Sequence, residues 1–474
     1  MLGVNLIFQS TFLLLITSLI NTERILVVSP IPIKSHVILN HVLVQLLLES
    51  GYKVTHITVA PQKTGHNNLR QIDVSSNTKM VNVKSILSNA KTESSRKHFT
   101  QLVTRLFSKV LQHDNAYKLL EDTKETFDLV IAEWLFSDMY TGLAALYDCP
   151  FIWFSSTEPH WMLLRTIHKD SASPNLIKDI YEKGTFTKIF RPLMAMRGKP
   201  MRSYEDMMSI ASLVLVNSHL ELSQAEDWPN GFKSIAGYHI NENIKPLPKD
   251  LKRIMDNAKY GVIYFSFGSY MNGQDIPEEQ IQRLINMFGG LKQTVLWKLE
   301  LDFPRLPRNL YVLKWAPQQS ILAHPNCILF ITHGGILSKI ESIHFGVPTI
   351  GIPIYGDQFV NIEASVMKGI AMRVDLSDSF AEDLNKAVVE MLGNPSYRRE
   401  VKKLSSIYHN RTISPRGELL HWVNHTIRAG TPYQLRKSII DEHKETLTTT
   451  LVVIIVSMTF VFKRILRKRL YNDK

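Results

Sequence analysis

Short runs of continuously apolar residues, alternating with amphipathic stretches of helix length, recur in two series along this chain. The first series occupies 25–29, 53–59, 129–132, 151–154 and 213–217. The second occupies 262–267, 295–299, 310–313, 329–332, 349–352 and 371–374. A strand that is apolar on both sides needs cover on both faces, which a one-sided antiparallel meander does not supply. Strands alternating with helices meet that need by forming parallel sheets between helical layers. The pattern predicts an α/β chain built on parallel sheets.

Between the two series lies Asn241-Glu-Asn-Ile-Lys-Pro-Leu-Pro-Lys-Asp250, rich in proline and charge and without periodicity. The chain therefore divides into an N-terminal half at 23–240, a linker at 241–258 and a C-terminal half at 259–430. Each half has ordinary domain size. Ligands in such sheets bind beyond the carboxyl ends of the strands, so two facing halves would create a cleft supplied from both sides. A composition of 45% hydrophobic and 21% charged residues excludes a disordered or collagen-like chain. The two cysteines, Cys149 and Cys327, lie in apolar stretches and read as core fillers, although a disulfide is permitted. No cysteine cluster has metal-ligand spacing.

The formal charge of +12 is unevenly placed. Six basic residues and a single acid fall in the last twelve positions, and the rest of the excess is thinly spread. Nucleic acid is a poor explanation for such a distribution. The basic tail directly follows an uncharged run, TLTTTLVVIIVSMTFVF at 446–462. A helix of that length covers about 25 Å, near the thickness of the thinner endoplasmic reticulum bilayer. At the other end, residues 1–20 carry no charged side chain and contain the run FLLLITSLI, the length of a secretory h-region. These features predict a signal peptide at 1–22, a lumenal juxtamembrane segment at 431–445, a transmembrane helix at 446–462 and a cytosolic tail at 463–474. The result is a single-pass type I protein with glycosylation sequons at Asn410 and Asn424 on the lumenal side.

Chemically useful residues concentrate between Trp315 and Gln358, in WAPQQSILAHPNCILFITHGGILSKIESIHFGVPTIGIPIYGDQ. Leu329-Phe-Ile-Thr332 reads as a buried strand, His333-Gly-Gly335 as a tight turn and Ile336 onward as a helix. Glycines let backbone N–H groups approach an anion, and a helix N-terminus favours negative charge. A diphosphate suits that corner, where His333 adds a donor. Ser338 and Glu341 share one helix face, and Glu341 can accept from ribose hydroxyls about a turn away. Trp315, between a strand and a proline, can stack on a base. Asp357 and Gln358 supply an acceptor and an amide for sugar hydroxyls. Taken singly, each residue has a plain structural explanation as turn, core or cap; their order and spacing carry the signal.

These 44 residues closely resemble the donor-binding signature of UDP-glycosyltransferases. The likeness extends over nearly the whole chain, and LVLVNSH at 213–219, KPLPKD at 245–250 and GVIYFSFGS at 261–269 look most like insect members of the membrane-bound animal branch. The resemblance implies a GT-B fold: two facing Rossmann-like domains, the first for the acceptor and the second for a UDP-sugar, plus one C-terminal transmembrane helix. It also implies metal-independent, inverting transfer of a hexose, with glucose expected from the insect likeness, to a hydroxyl of a small lipophilic acceptor. Apart from the UDP-sugar co-substrate, no cofactor, metal or nucleic acid is implied. Endoplasmic reticulum residence is implied although the tail lacks a lysine-pair retrieval signal, and a homo-oligomer is left open.

Carried over by position, Trp315 should stack on uracil, with Ala316 beside it, and Gln318 and Glu341 should hold ribose. His333, Gly335, Ser338 and Ser269 should contact the diphosphate, while Asp357 and Gln358 grip the transferred sugar. Many relatives carry Asn where this chain has Leu337, so phosphate binding must rest on Ser338 and the backbone.

His36, in the loop after the first strand, matches the family's general base, and imidazole has a suitable pKa for that role. Its carboxylate partner should follow the strand at 129–132. Glu133 occupies the aligned position with Glu in place of the usual Asp, and Asp138 lies in reach of the next helix's first turn, which slightly favours it. The acceptor pocket should draw on 84–120 and 161–208, including Met162, Phe186, Phe190, Met194 and Met196, although a helical core accounts for these almost as well. Two other readings stay open: a catalytically silent binder of UDP-sugar or lipophile, and a nucleotide-sugar epimerase.

Overall fold

The computed structural model describes residues 23–430, apart from 64, 81–92, 160–162, 164–175, 209, 224–227 and 269–275. Within them, one parallel sheet contains β1 (Arg24–Ser29), β2 (Lys53–Thr58), β3 (Leu69–Asp73), β4 (Leu129–Trp134), β5 (Phe151–Ser155), β6 (Leu213–Val216) and β7 (Phe232–Ser234). A second contains β8 (Val262–Ser266), β9 (Thr294–Lys298), β10 (Leu310–Leu313), β11 (Cys327–Thr332), β12 (Thr349–Gly351) and β13 (Ala371–Arg373). Every apolar run picked out above becomes a strand. The two additional strands, β3 and β7, are sheet edges with mixed sequences, LRQID and FKS. An edge strand is covered less completely, so it lacks the continuous apolar signature.

The first sheet runs β3-β2-β1-β4-β5-β6-β7 and the second β10-β9-β8-β11-β12-β13. Both orders reverse direction beside their first strand, which opens a crevice between β1 and β4 and another between β8 and β11. The loops that bear the expected base and the expected diphosphate contacts leave from these two switch points.

Side-chain alternation distributes each strand between two cores. In β1, Ile25 and Val27 face the helix Lys34–Glu49, while Leu26 and Val28 face the opposite layer. The segment read as a linker contributes a helix, Lys249–Asp256, whose Leu251 and Met255 pack beneath β8 with Val262 and Tyr264. The last described helix, Pro415–Ala429, returns to the first sheet, where Leu419 and Val423 pack with Leu39 and Phe154. A chain division at 430 thus assigns to the second half a helix that packs on the first. A mixed cluster joins the halves, with Ala236 and Ile240 against Ile336, Ile340, Ile343 and Tyr408.

Cys149 and Cys327 are buried free thiols in separate cores, and burial pushes both up to about 12. At that value neither forms appreciable thiolate near neutrality. The expected signal peptide and everything from 431 onward, including the expected span, lie outside the described residues. Among the described residues, no helix is long and apolar enough to cross a membrane.

Candidate active site

His36 enters the cleft from the first turn of the Lys34–Glu49 helix, directly beyond β1. Its Nδ1 lies 2.6 Å from Oε1 of Glu133 and 3.0 Å from the Ser156 hydroxyl. Asn40, one turn along the same helix, donates to Glu133 Oε2 at 2.7 Å and to the His36 carbonyl at 2.9 Å. An ionised carboxylate only accepts, so the network assigns the imidazole proton to Nδ1 and leaves Nε2 with a lone pair. That is the arrangement of a base held by its partner.

Asp138 does not supply that carboxylate. Strand pleating explains the correction. Glu133 points to the same face of β4 as Leu129 and Ile131, the face covered by the helix that carries His36. Trp134 points to the other face, and its indole N–H donates to Asp138 at 3.0 Å. Asp138 also places its backbone N–H 2.8 Å from Glu182. It belongs to a buried polar network in the layer opposite His36.

On the second half, β11 ends at Thr332 and the chain turns through His333-Gly334-Gly335 into the Ile336–Phe345 helix. Gly334 has φ of +82°, and a Cβ there would meet Ile362 at 2.4 Å. Gly335 has an ordinary φ, but a Cβ would lie 2.7 Å from His333 Nε2. The first glycine makes the turn and the second makes room for the imidazole. Burial pulls His333 down to about 4, so it is neutral near pH 7, and its Nδ1 is buried without a partner among the described residues. Ser269 lies outside the described residues.

Trp315 is 63% exposed just beyond β10, and the Lys34 ammonium of the first half lies 4.2 Å from its ring centroid. Ala316 is buried under it in the core. Gln318 opens a short helix, Gln318–Leu322, and donates to Glu341 Oε2 at 2.6 Å and to the Ser338 hydroxyl at 3.3 Å. Gln319 donates to the other Glu341 oxygen at 3.1 Å. The two amides aim the carboxylate while leaving lone pairs for hydroxyl donors. Leu337, partly buried, packs against the apolar cluster that joins the halves.

Asp357 and Gln358 follow β12. Gln358 Oε1 accepts from the backbone of Ile354 and Tyr355 at 2.8 and 3.2 Å, closing the loop. Asn361 donates to Asp357 Oδ2 at 2.8 Å and to the Gly334 carbonyl at 3.1 Å, tying the loop after β12 to the turn after β11. Desolvation raises the Asp357 pKa, opposed by the Asn361 hydrogen bond and by the charges of His36 and Lys339.

Sequence reasoning did not single out Asn40, Ser156, Gln319 or Asn361. Asn40 was accessible in principle, four positions from His36 on one helix face. Asn361 was too, four positions after Asp357, whereas Ser156 and Gln319 depend on which segments meet in space. The expected acceptor residues fare differently. Phe186, Phe190 and Met194 are buried in the first half's core, so they pack rather than line an open pocket. Met196 is exposed, and Met162 lies outside the described residues. Both sequon asparagines, Asn410 and Asn424, are exposed.

A family model described as "UDP-glucoronosyl and UDP-glucosyl transferase" matches residues 174–468. The chain is 30% identical over 467 residues to UDP-glycosyltransferase UGT5 of Dactylopius coccus, covering 91% of this chain and 88% of that one. It is 29% identical over 452 residues to UDP-glucosyltransferase 2 of the same insect, covering 88% and 86%. Among solved structures, the calicheamicin glycosyltransferase CalG4 superposes with a TM-score of 0.62 at 18% identity, covering 86% of this chain and 99% of that one. That likeness establishes the GT-B arrangement of the two parallel sheets. With the family match extending over more than half of the sequence, the chain belongs to the UDP-glucuronosyl and UDP-glucosyl transferase family and is a UDP-sugar-dependent glycosyltransferase.

Proposed function

We propose that this enzyme transfers glucose from UDP-glucose to a hydroxyl of a small lipophilic acceptor, with inversion to a β-glycoside. The observation that carries the reading is the His36–Glu133 pair beyond the switch point between β1 and β4. His36 Nε2 takes the acceptor proton as the oxygen attacks the anomeric carbon. The bond from that carbon to the UDP oxygen breaks, and Glu133 stabilises the imidazolium that forms. Charge developing on the diphosphate meets the N-terminus of the Ile336–Phe345 helix, the Ser338 hydroxyl and an uncharged His333 donor. Glucose as the sugar is supported by the names of the insect relatives.

The test is incubation of microsomes bearing the full chain with radiolabelled UDP-glucose and a panel of phenols, beside a His36→Ala variant. Aglycone-dependent label transfer by the wild type alone supports the reading. Tight UDP-sugar binding with no transfer from any donor would favour a silent binder, and an altered free sugar nucleotide would indicate an epimerase.

For topology, we infer a signal peptide at 1–22 and a membrane helix at 446–462, with the enzyme lumenal in the endoplasmic reticulum. Support comes from the charge asymmetry around the apolar run and from the exposure of Asn410 and Asn424. Endoglycosidase treatment should shift the mass of the wild type and leave an Asn410→Gln/Asn424→Gln double variant unmoved. A tail at 463–474 that resists protease in intact microsomes would overturn this topology.

A further inference from the structure

Lys339 and Glu158 stand 181 residues apart in sequence and meet across the cleft, Nζ to Oε1 at 2.6 Å. The Lys339 side chain is almost wholly buried and that of Glu158 largely so. Lys339 follows Ser338 in the first turn of the Ile336–Phe345 helix, whose N-terminus is assigned to the diphosphate. Glu158 lies two residues beyond Ser156, whose hydroxyl reaches His36 Nδ1. One ion pair therefore links the loop that seats the base to the helix that seats the donor.

Adhesion alone does not call for such a pair. Apolar packing joins the halves through Ile240, Ile336 and Ile340, and burying two charges recovers little net stability. An apolar contact tolerates small slides, whereas a desolvated ion pair has a narrow favourable geometry. Burial pulls the Lys339 ammonium down and Glu158 opposes that pull.

We propose that Lys339 and Glu158 are a positioning pair for transfer, setting the register of the donor helix against His36 so that acceptor oxygen and anomeric carbon meet in reacting geometry. The proposal rests on His36 acting as the base of a glycosyltransferase. Small misplacements between reacting groups cost rate steeply, while the residues expected to hold UDP (Trp315, Gln318, His333, Ser338 and Glu341) all lie in the second half and would move together.

The experiment compares the full chain with Glu158→Gln, Lys339→Met and the Glu158→Met/Lys339→Met double variant. It reads kcat, KM for the UDP-sugar, UDP affinity by calorimetry and thermal midpoint. Each single variant should lose at least about tenfold in kcat with UDP affinity nearly unchanged. The double variant should be no worse than the poorer single one, since both remove the same link. Lower thermal midpoints with wild-type kcat at a temperature where all variants are folded would reduce the pair to a structural tie and overturn the proposal. Weakened UDP-sugar binding in Lys339→Met, with Glu158→Gln unaffected, would also overturn it by making Lys339 a donor ligand. Should the single variants fail to fold, the double variant decides, because it buries no unpaired charge: reduced kcat supports the register role and unchanged kcat refutes it. A wild type that transfers nothing removes the underlying reading itself, an outcome distinct from a loss confined to the variants.

Discussion

His36 Nδ1 and Glu133 Oε1 meet at 2.6 Å although one lies in the helix after β1 and the other in β4, 97 residues apart. The contact exists because β1 and β4 are hydrogen-bonded neighbours, with Val28 opposite Ala132. The residue after Ala132 therefore arrives beside the helix that follows β1.

Glu133→Gln should separate orientation from charge at this pair. The amide keeps the shape but cannot stabilise an imidazolium, so kcat should fall by roughly 10²-fold or more while UDP affinity holds. Asp138→Asn, on the opposite face of the sheet, should instead lower the thermal midpoint and leave kcat within a few fold. Steady-state kinetics and calorimetry on the two variants check this assignment, and a larger kcat loss in Asp138→Asn would reverse it.

Trp315 is largely exposed, with the Lys34 ammonium over its ring, and shortly precedes Gln318, which donates to Glu341. Replacing it with alanine should weaken UDP binding by about 1–3 kcal/mol, the range for one base-stacking contact. Calorimetric titration with UDP measures this directly, and an unchanged affinity would rule out the stacking role.

Gly335→Ala isolates the steric role of the diphosphate turn, because the backbone there is already acceptable for alanine. The added methyl meets His333 Nε2 at 2.7 Å and must displace the ring. Donor binding should weaken at least about tenfold with little loss of fold, since a local shift of one donor is enough to spoil anion contacts. Circular dichroism with UDP titration tests both parts.

Acid should destabilise the enzyme through buried histidines. His56, within β2 and bonded to Ser29 Oγ at 2.9 Å, is pushed down to about 3 by burial and by His41. In the unfolded chain the same group protonates near 6.5, so the unfolded state binds more protons between those values. The stability is present above pH 6.5 and is lost progressively as pH falls toward 3. The cost by pH 4.5 is about 3 kcal/mol for this residue. Thermal midpoints from pH 7 to 4.5 should fall, and the fall should be shallower in His56→Gln whatever that variant's stability at pH 7.

Local pattern and spacing determined much of this protein. Uninterrupted apolar runs required strands covered on both faces, and the stretch from Trp315 to Gln358 already read as strand, His333–Gly335 turn and helix from Ile336, as the structure has them. The mixed edge strands β3 and β7 escaped because they are only partly covered at the sheet edges and so carry no continuous apolar run.

Tertiary structure alone decided which carboxylate serves His36. Glu133 and Asp138 both follow the same strand, and only the pleat of β4 sends one to the His36 face and the other into the opposite layer. It also decided that Phe186, Phe190 and Met194 fill a core, that the Pro415–Ala429 helix closes the first half, and that Lys339 finds Glu158 across the cleft. Spacing along a chain specifies a face or a turn. Which charges come within 3 Å depends on how distant segments pack, and that becomes definite only when both sheets and their helices are in place.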